Sequence, residues 1–247
     1  MIPDWQLPPG VDRGLWDYLH SGEMVNGYDS QMAESPLAQA DVAFCESAFT
    51  RPGRLVDLGC GTGRLAIPFA KRGFDCVGVD LSEEMLSRAK ANATTAGVNV
   101  EWTKANLVDL AELPTESFDY AACLFSTLGM VRGDGNRRAV LANVARLLKP
   151  GGLLVLHIHN RWFSGLGRAR VAREFLRSLI GKKDAGDITM PQAYGGAPLT
   201  LHHFTLREAR KLLEKTGFQV KRTVGFTTEG KPSRSNVYGY LMEMQKS

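Results

Sequence analysis

From Arg54 onward, short apolar runs alternate with amphipathic segments. Runs at Arg54–Leu58, Cys76–Asp80, Val100–Thr103, Phe118–Phe125 and Leu153–His159 have the length of buried strands. Between them, Arg64–Arg72, Ser82–Ala96 and Asn136–Leu148 repeat apolar residues at helical spacing. The alternation predicts βα units around a mainly parallel sheet. Lys149-Pro150-Gly151-Gly152 ends the last of these helices and starts the fifth strand. Upstream, Asp12 to Thr50 is helical in pattern: Leu15, Trp16 and Leu19 share one face, and Leu37, Val42, Phe44, Ala48 and Phe49 suggest a second helix. The stretch Met24 to Asp29 between them reads as a polar turn. Downstream, Arg161 to Lys183 reads as an amphipathic helix and Asp184 to Leu199, rich in Gly and Pro, as a loop. Thr205 to Thr216 is a helix with a capping box formed by Thr205 and Glu208, and Phe218–Phe226 and Val237–Met244 are closing strands.

Within this pattern, Leu55 to Gly63 joins a strand to a helix through Gly59, Gly61 and Gly63. Such a turn directs backbone N–H groups and a positive helix end at a ligand. A dinucleotide fold expects G-x-G-x-x-G, whereas here position 64 is Arg, and Asp57 just before the turn repels a pyrophosphate. Asp57 is suited to a cationic amine or to orienting the turn. A ligand with an ammonium, a carboxylate and an adenosine satisfies this mixture. Asp80, about twenty residues further on at the end of the second strand, is the acid expected to accept from ribose hydroxyls, although it also suits a helix N-terminus.

The chain resembles the class I S-adenosylmethionine-dependent methyltransferases. Val56-Asp57-Leu58-Gly59-Cys60-Gly61-Thr62-Gly63 matches the first motif of that family and Gly78-Val79-Asp80-Leu81-Ser82 the second. Ala105 to Leu110 resembles the third, Ser117 to Phe125 the fourth, and Leu147 to Gly152 the turn before strand five, so the likeness covers residues 50 to 160. It implies a three-layer α/β, Rossmann-like fold, with a mostly parallel seven-stranded sheet and an antiparallel C-terminal strand. It also implies S-adenosylmethionine as cofactor, held by Asp57, Gly59, Cys60, Gly61, Gly63 and Asp80. Leu81 and Met85 would flank the adenine, Asn106 would meet its amino group and Leu107 the ring, with Leu124 beside them. The family usually carries Asp where Asn106 stands; the Asn carbonyl still accepts. Tyr28, with Asp29, resembles an aromatic-acid pair placed over the cofactor from an N-terminal helix.

Direct methyl transfer requires an in-line acceptor and a dry site, and a proton-bearing acceptor benefits from a general base. Ligands of such sheets sit beyond the carboxyl ends of the strands, which makes His159 the first candidate, with His202 and His203 behind it; His157, deeper on the same strand, suits a core histidine. The four parts expected are a helical cap (1–50), the cofactor core (51–160), an inserted lid for the acceptor (161–204, including Met190, Tyr194 and Leu199) and a closing helix with strands (205–247).

Charge and composition narrow the partners. Net charge is +4, but residues 1–50 carry −7 and residues 161–247 carry +9. Arg161 to Lys183 holds seven bases and one acid. A small-molecule acceptor is the favoured reading, tRNA of the wobble-uridine type the rival on this charge, and a non-catalytic cofactor-binding protein the alternative outside enzymes. Four scattered cysteines without a CxxC pair argue against zinc and disulfides. With no long apolar run and no signal-like start, a cytoplasmic protein without a membrane partner is expected, its oligomeric state open.

Overall fold

The alternating apolar runs become strands whose two faces are both covered. In a computed structural model, residues 3–182, 184–193 and 197–247 are described, with side chains throughout except at 23–26, 191–193 and 197. Helices α1 (Arg13–Leu19), α2 (Gly22–Glu34) and α3 (Pro36–Ala48) precede β1 (Arg54–Leu58), α4 (Ala66–Lys71), β2 (Asp75–Asp80), α5 (Glu83–Ala96) and β3 (Glu101–Lys104). Then come β4 (Phe118–Cys123), α6 (Thr127–Met130), α7 (Asp134–Leu147), β5 (Leu148–His159) and α8 (Arg168–Leu179). The chain closes with β6 (Asp187–Ala193), β7 (Ala197–His202), α9 (Leu206–Lys215), β8 (Phe218–Phe226) and β9 (Gly239–Lys246).

Seven strands form one sheet in the order β3-β2-β1-β4-β5-β9-β8. β9 runs antiparallel to both β5 and β8, and the β3 to β5 pairings are parallel, as the resemblance implies. Strand β1 shows how the layers arise. Val56 and Leu58 pack with Val140, Leu141, Leu212 and Leu213 from α7 and α9, while Leu55 packs with Phe49 and Phe69 on the α3 and α4 side. Each such fully buried side chain contributes about 1.5–3 kcal/mol.

Three sequence expectations are corrected. Met24 to Asp29, expected as a polar turn, lies inside α2, where Asp29 is fixed by Arg88 Nε at 2.8 Å and Asn92 Nδ2 at 3.1 Å from α5. Those long-range bonds are invisible to a local reading. Asp184 to Leu199, expected as a loop, contains β6 and enters β7; the two pair antiparallel from Asp187↔His202 to Ala193↔Ala197. Its alternation of Met190, Leu199 and Leu201 toward the α1 and Met85 cluster outweighs the Gly and Pro content. β5 begins at Leu148 rather than Leu153, because a register irregularity opposite Phe118–Tyr120 lets the strand carry Pro150 and Gly151. By contrast the capping box at Thr205 and Glu208 forms as expected.

A strap ahead of α1 crosses the carboxyl end of the sheet. Asn106 Nδ2 donates to the Pro9 carbonyl at 2.9 Å, the Arg132 N–H donates to the Gly10 carbonyl at 2.8 Å, and Arg132 pairs with Asp12 at 3.2 Å.

Candidate functional site

At the end of β1 the chain turns through Gly59 and Gly61, both with positive φ. A Cβ on Gly59 would lie 2.5 Å from Thr127 Cγ2, and one on Gly61 would lie 3.3 Å from the Tyr28 ring, so the turn is closed to side chains from both flanks. Asp80 holds it in place. The Gly61 N–H donates to Asp80 Oδ2 at 2.8 Å and the Ser82 N–H to Oδ1 at 2.9 Å, which ties the glycine turn to the start of α5. Burial pushes the Asp80 carboxyl above the usual range, and these N–H groups oppose the rise.

Beneath the turn, burial drives Asp57 up to about 7, against the nearby Arg64 guanidinium and a bond from the Ala66 N–H. Arg64 is anchored by the Ala38 carbonyl at 2.7 Å and by Asp41 at 3.2 Å. Tyr28 is held up at about 12, again chiefly by burial. An acid, a guanidinium and a phenol thus share one low-dielectric corner.

That corner opens into a cleft of about 990 Å³, counting the space at its mouth. Tyr28, Asp57, Gly59, Cys60, Gly61, Asp80, Leu81, Met85, Asn106, Leu107 and Leu124 all line it. Gly63 does not; it packs beneath the turn, where a Cβ would lie 2.8 Å from Ile67 and from Trp102. Asn106 lines the mouth, but its amide serves the strap and its carbonyl already accepts from the Val108 N–H at 3.1 Å. Sequence reasoning missed Arg64, which it used only as a spacing mark, and missed Leu15, Tyr18, Phe125 and Met130. Phe125 and Ser126 carry φ of 51° and 60° directly after β4. Two successive non-glycine residues in that region are strained, and such strain concentrates at functional sites.

The histidines stand apart from the cleft lining. His159 is buried with neither ring nitrogen bonded, its ring 5.3 Å from His157, 5.2 Å from His203 and 4.7 Å from Tyr238. Burial holds it well below the ordinary histidine range, and His203 likewise falls to about 4. His202 is clamped between Asp187 Oδ1 at 2.7 Å and Glu208 Oε1 at 2.9 Å. His157 Nδ1 meets Asp41 at 2.6 Å, and its ring lies 6.0 Å from that of Phe125. Among the sequence candidates, His157 therefore approaches the cleft wall most directly, through Phe125.

Residues 55–152 match the family model described as a methyltransferase domain. Over that stretch the chain is similar to S-adenosylmethionine-dependent methyltransferases. The chain is 33% identical over 157 residues to a ubiquinone biosynthesis O-methyltransferase of Hahella chejuensis, covering 62% of this chain and 64% of that one. A Dechloromonas aromatica protein of the same description is 34% identical over 129 residues, covering 52% and 54%. The chain thus spans about half to two thirds of the length of these curated relatives. Among solved structures, its fold matches the 1,6-didemethyltoxoflavin-N1-methyltransferase of Burkholderia thailandensis, solved with S-adenosylhomocysteine, at a TM-score of 0.65 and 18% identity over 98% of this chain and 93% of that one. It also matches the CcbJ methyltransferase of Streptomyces caelestis at 0.69 and 18%, over 92% and 97%. The cleft suits S-adenosylmethionine. A buried acid answers an ammonium, a strand-end acid answers hydroxyls, and Leu81, Met85 and Leu107 offer an apolar slot for a flat ring.

Proposed function

We propose that this protein transfers a methyl group from S-adenosylmethionine to an oxygen or nitrogen of a small-molecule acceptor. The observation that carries this reading is the pair of buried acids, Asp57 and Asp80, meeting at one glycine turn beyond the carboxyl ends of β1 and β2. Held there, the cofactor would supply a methyl group, carried on a positively charged sulfur, to the acceptor's lone pair. Asp57 would hold the ammonium and Arg64 the carboxylate of its amino-acid end, and Asp80 would accept from the ribose. Each oxygen of Asp80 keeps a lone pair for this beyond the N–H bond it already receives. Leu81 and Met85 would hold the adenine with Leu107, and Asn106 would meet its edge through the free lone pair of its carbonyl. Gly59, Cys60 and Leu124 shape the floor, while Gly63 acts from below by keeping the turn tight against Trp102.

Tyr28 and Phe125 flank the corner beside Arg64 and exclude water from the transfer. Catalysis rests mainly on this positioning. His159, held neutral and away from the cleft lining, serves as packing, and His157 with Asp41 is the imidazole that an acceptor proton would reach behind Phe125. The relatives whose names state a substrate support a small acceptor: one is a ubiquinone biosynthesis O-methyltransferase, another a didemethyltoxoflavin N1-methyltransferase. The test is a panel of phenolic, carboxylic and amine acceptors monitored by S-adenosylhomocysteine release. Turnover with one class, abolished in Asp80→Ala, is the expected result. Cofactor binding without release on any acceptor would overturn the enzyme reading.

A further inference from the structure

Helix α8 is inside out. The side carrying Glu174 and Ser178 faces the protein: Glu174 is 2% exposed and accepts from the Gly186 N–H at 2.8 Å, while Ser178 Oγ accepts from Arg161 at 3.2 Å. Its apolar side faces solvent, with Phe175 53%, Leu176 61%, Leu179 66% and the following Ile180 69% exposed. Trp162 extends the patch, 38% exposed with its ring 6.3 Å from that of Phe175. Spacing of i, i+1, i+4 and i+5 makes this one stripe rather than scattered contacts. Beside the stripe, Trp162, Val171, Ala172 and Phe175 line a shallow open groove.

Charge decides the occupant. Arg168, Arg173 and Lys182 are exposed around the stripe, and Arg170 lies partly open on the same helix. The acids nearby are spoken for: Glu174 is buried, and Asp184 pairs with Arg177 at 2.6 Å. A helix with a basic rim and a Trp, Phe and Leu face fits the plane of a membrane interface, its apolar side among acyl chains and its cations at anionic headgroups. A second copy fits less well, since a two-fold contact through this stripe sets Arg168 and Arg173 against their own counterparts. We propose that α8 is a docking surface for an anionic lipid bilayer, holding the protein on the surface without spanning it. Among the described residues no helix is long and apolar enough to cross a membrane, and surface docking needs none. The sequence-based exclusion of a membrane partner rested on the missing span, which does not bear on this mode.

Co-sedimentation of the full chain with phosphatidylcholine vesicles, with and without phosphatidylglycerol, tests the proposal. Binding should require phosphatidylglycerol, fall with added salt, and drop more than about tenfold in Phe175→Asp/Leu179→Asp. Both side chains are exposed and lie outside the cleft lining, so the variant should keep its thermal midpoint and its S-adenosylmethionine affinity. Equal binding of wild type and variant, or no vesicle binding by folded wild type, would overturn it. So would self-association in solution that the variant abolishes without any vesicle binding, or salt-dependent capture of bulk tRNA in place of vesicles.

Discussion

With the cofactor's ammonium placed at Asp57 as proposed, its affinity becomes a function of pH. The Asp57 carboxyl is buried and raised from 3.8 to about 7 in the free protein, whereas pairing with an ammonium requires the carboxylate. Below pH 7 the free protein therefore holds a proton that binding must expel. For a single linked proton the apparent affinity falls by a factor of one plus ten to the power of seven minus pH: about 2 at pH 7, about 11 at pH 6 and about 100 at pH 5. The other groups around this corner leave the window clear or stay in place. Tyr28 titrates near 12 and Arg64 is pushed further up, while Asp80 and Asp41 are present in any Asp57 variant. In Asp57→Asn the proton is gone, so affinity at pH 8 drops, yet its slope between pH 5 and 7 flattens. Isothermal titration calorimetry from pH 5 to 8, in two buffers of different ionisation enthalpy, reads both the affinity and the proton released. The reasoning also fixes the sign for stability. A carboxyl whose folded value is raised makes the free protein lose stability as pH climbs from 3.8 to about 7, a loss that Asp57→Asn removes. A wild-type affinity flat from pH 5 to 8, or a variant with the wild-type slope, would refute the placement of the ammonium at Asp57.

Asp80→Ala removes an acceptor from the Gly61 and Ser82 N–H groups as well as from the ribose. At about 1.5–3 kcal/mol for each charge-assisted bond, cofactor affinity measured by calorimetry should fall by more than about a hundredfold, and less than tenfold would count against the ribose role. Gly59→Ala forces a side chain into Thr127 at a residue with φ of 74°; a lowered urea midpoint and lost cofactor binding are expected, at a cost above about 1 kcal/mol. His202→Ala removes the partner shared by Asp187 and Glu208, which keep Arg132 and Arg161, and should destabilise the fold by about 1–3 kcal/mol in urea unfolding. His159→Phe should keep the turnover on the best acceptor, because neither ring nitrogen has a partner to lose; a hundredfold fall in kcat in a protein of unchanged stability would return His159 to the catalytic machinery.

The parallel core was legible in the sequence because each strand and helix declares itself within a dozen residues. Leu55 to Gly63 and Val77 to Ser82 carry their own strand, turn and cap, and the structure brings them together through the bond from Gly61 to Asp80. What escaped the sequence depends on partners far along the chain. The run from Met24 to Asp29 is helical with Asp29 held by residues some sixty positions away, and the hairpin after α8 emerges from pairing across a Gly-rich segment whose Tyr194 lies outside the described residues. Periodicity marks Arg161 to Lys183 as an amphipathic helix, which α8 forms within that span. It could not tell which side faces the protein, because that depends on where Glu174 and Ser178 find their partners. His159 sat at the right end of the right strand, but the aromatic rings around it were not visible from strand position alone.

The strap of Pro9 to Asp12 bears on the timing of turnover. It is tied to the loop after β3 through Asn106 and to the segment after α6 through Arg132, and Gly10 and Val11 line the cleft beside those anchors. Segments held at several points by exposed hydrogen bonds open as a unit through local unfolding. With the cofactor placed as proposed, its exchange past this segment would require release of Asn106 and Arg132, and the protection of the Arg132 amide against hydrogen exchange is the measurement of that opening.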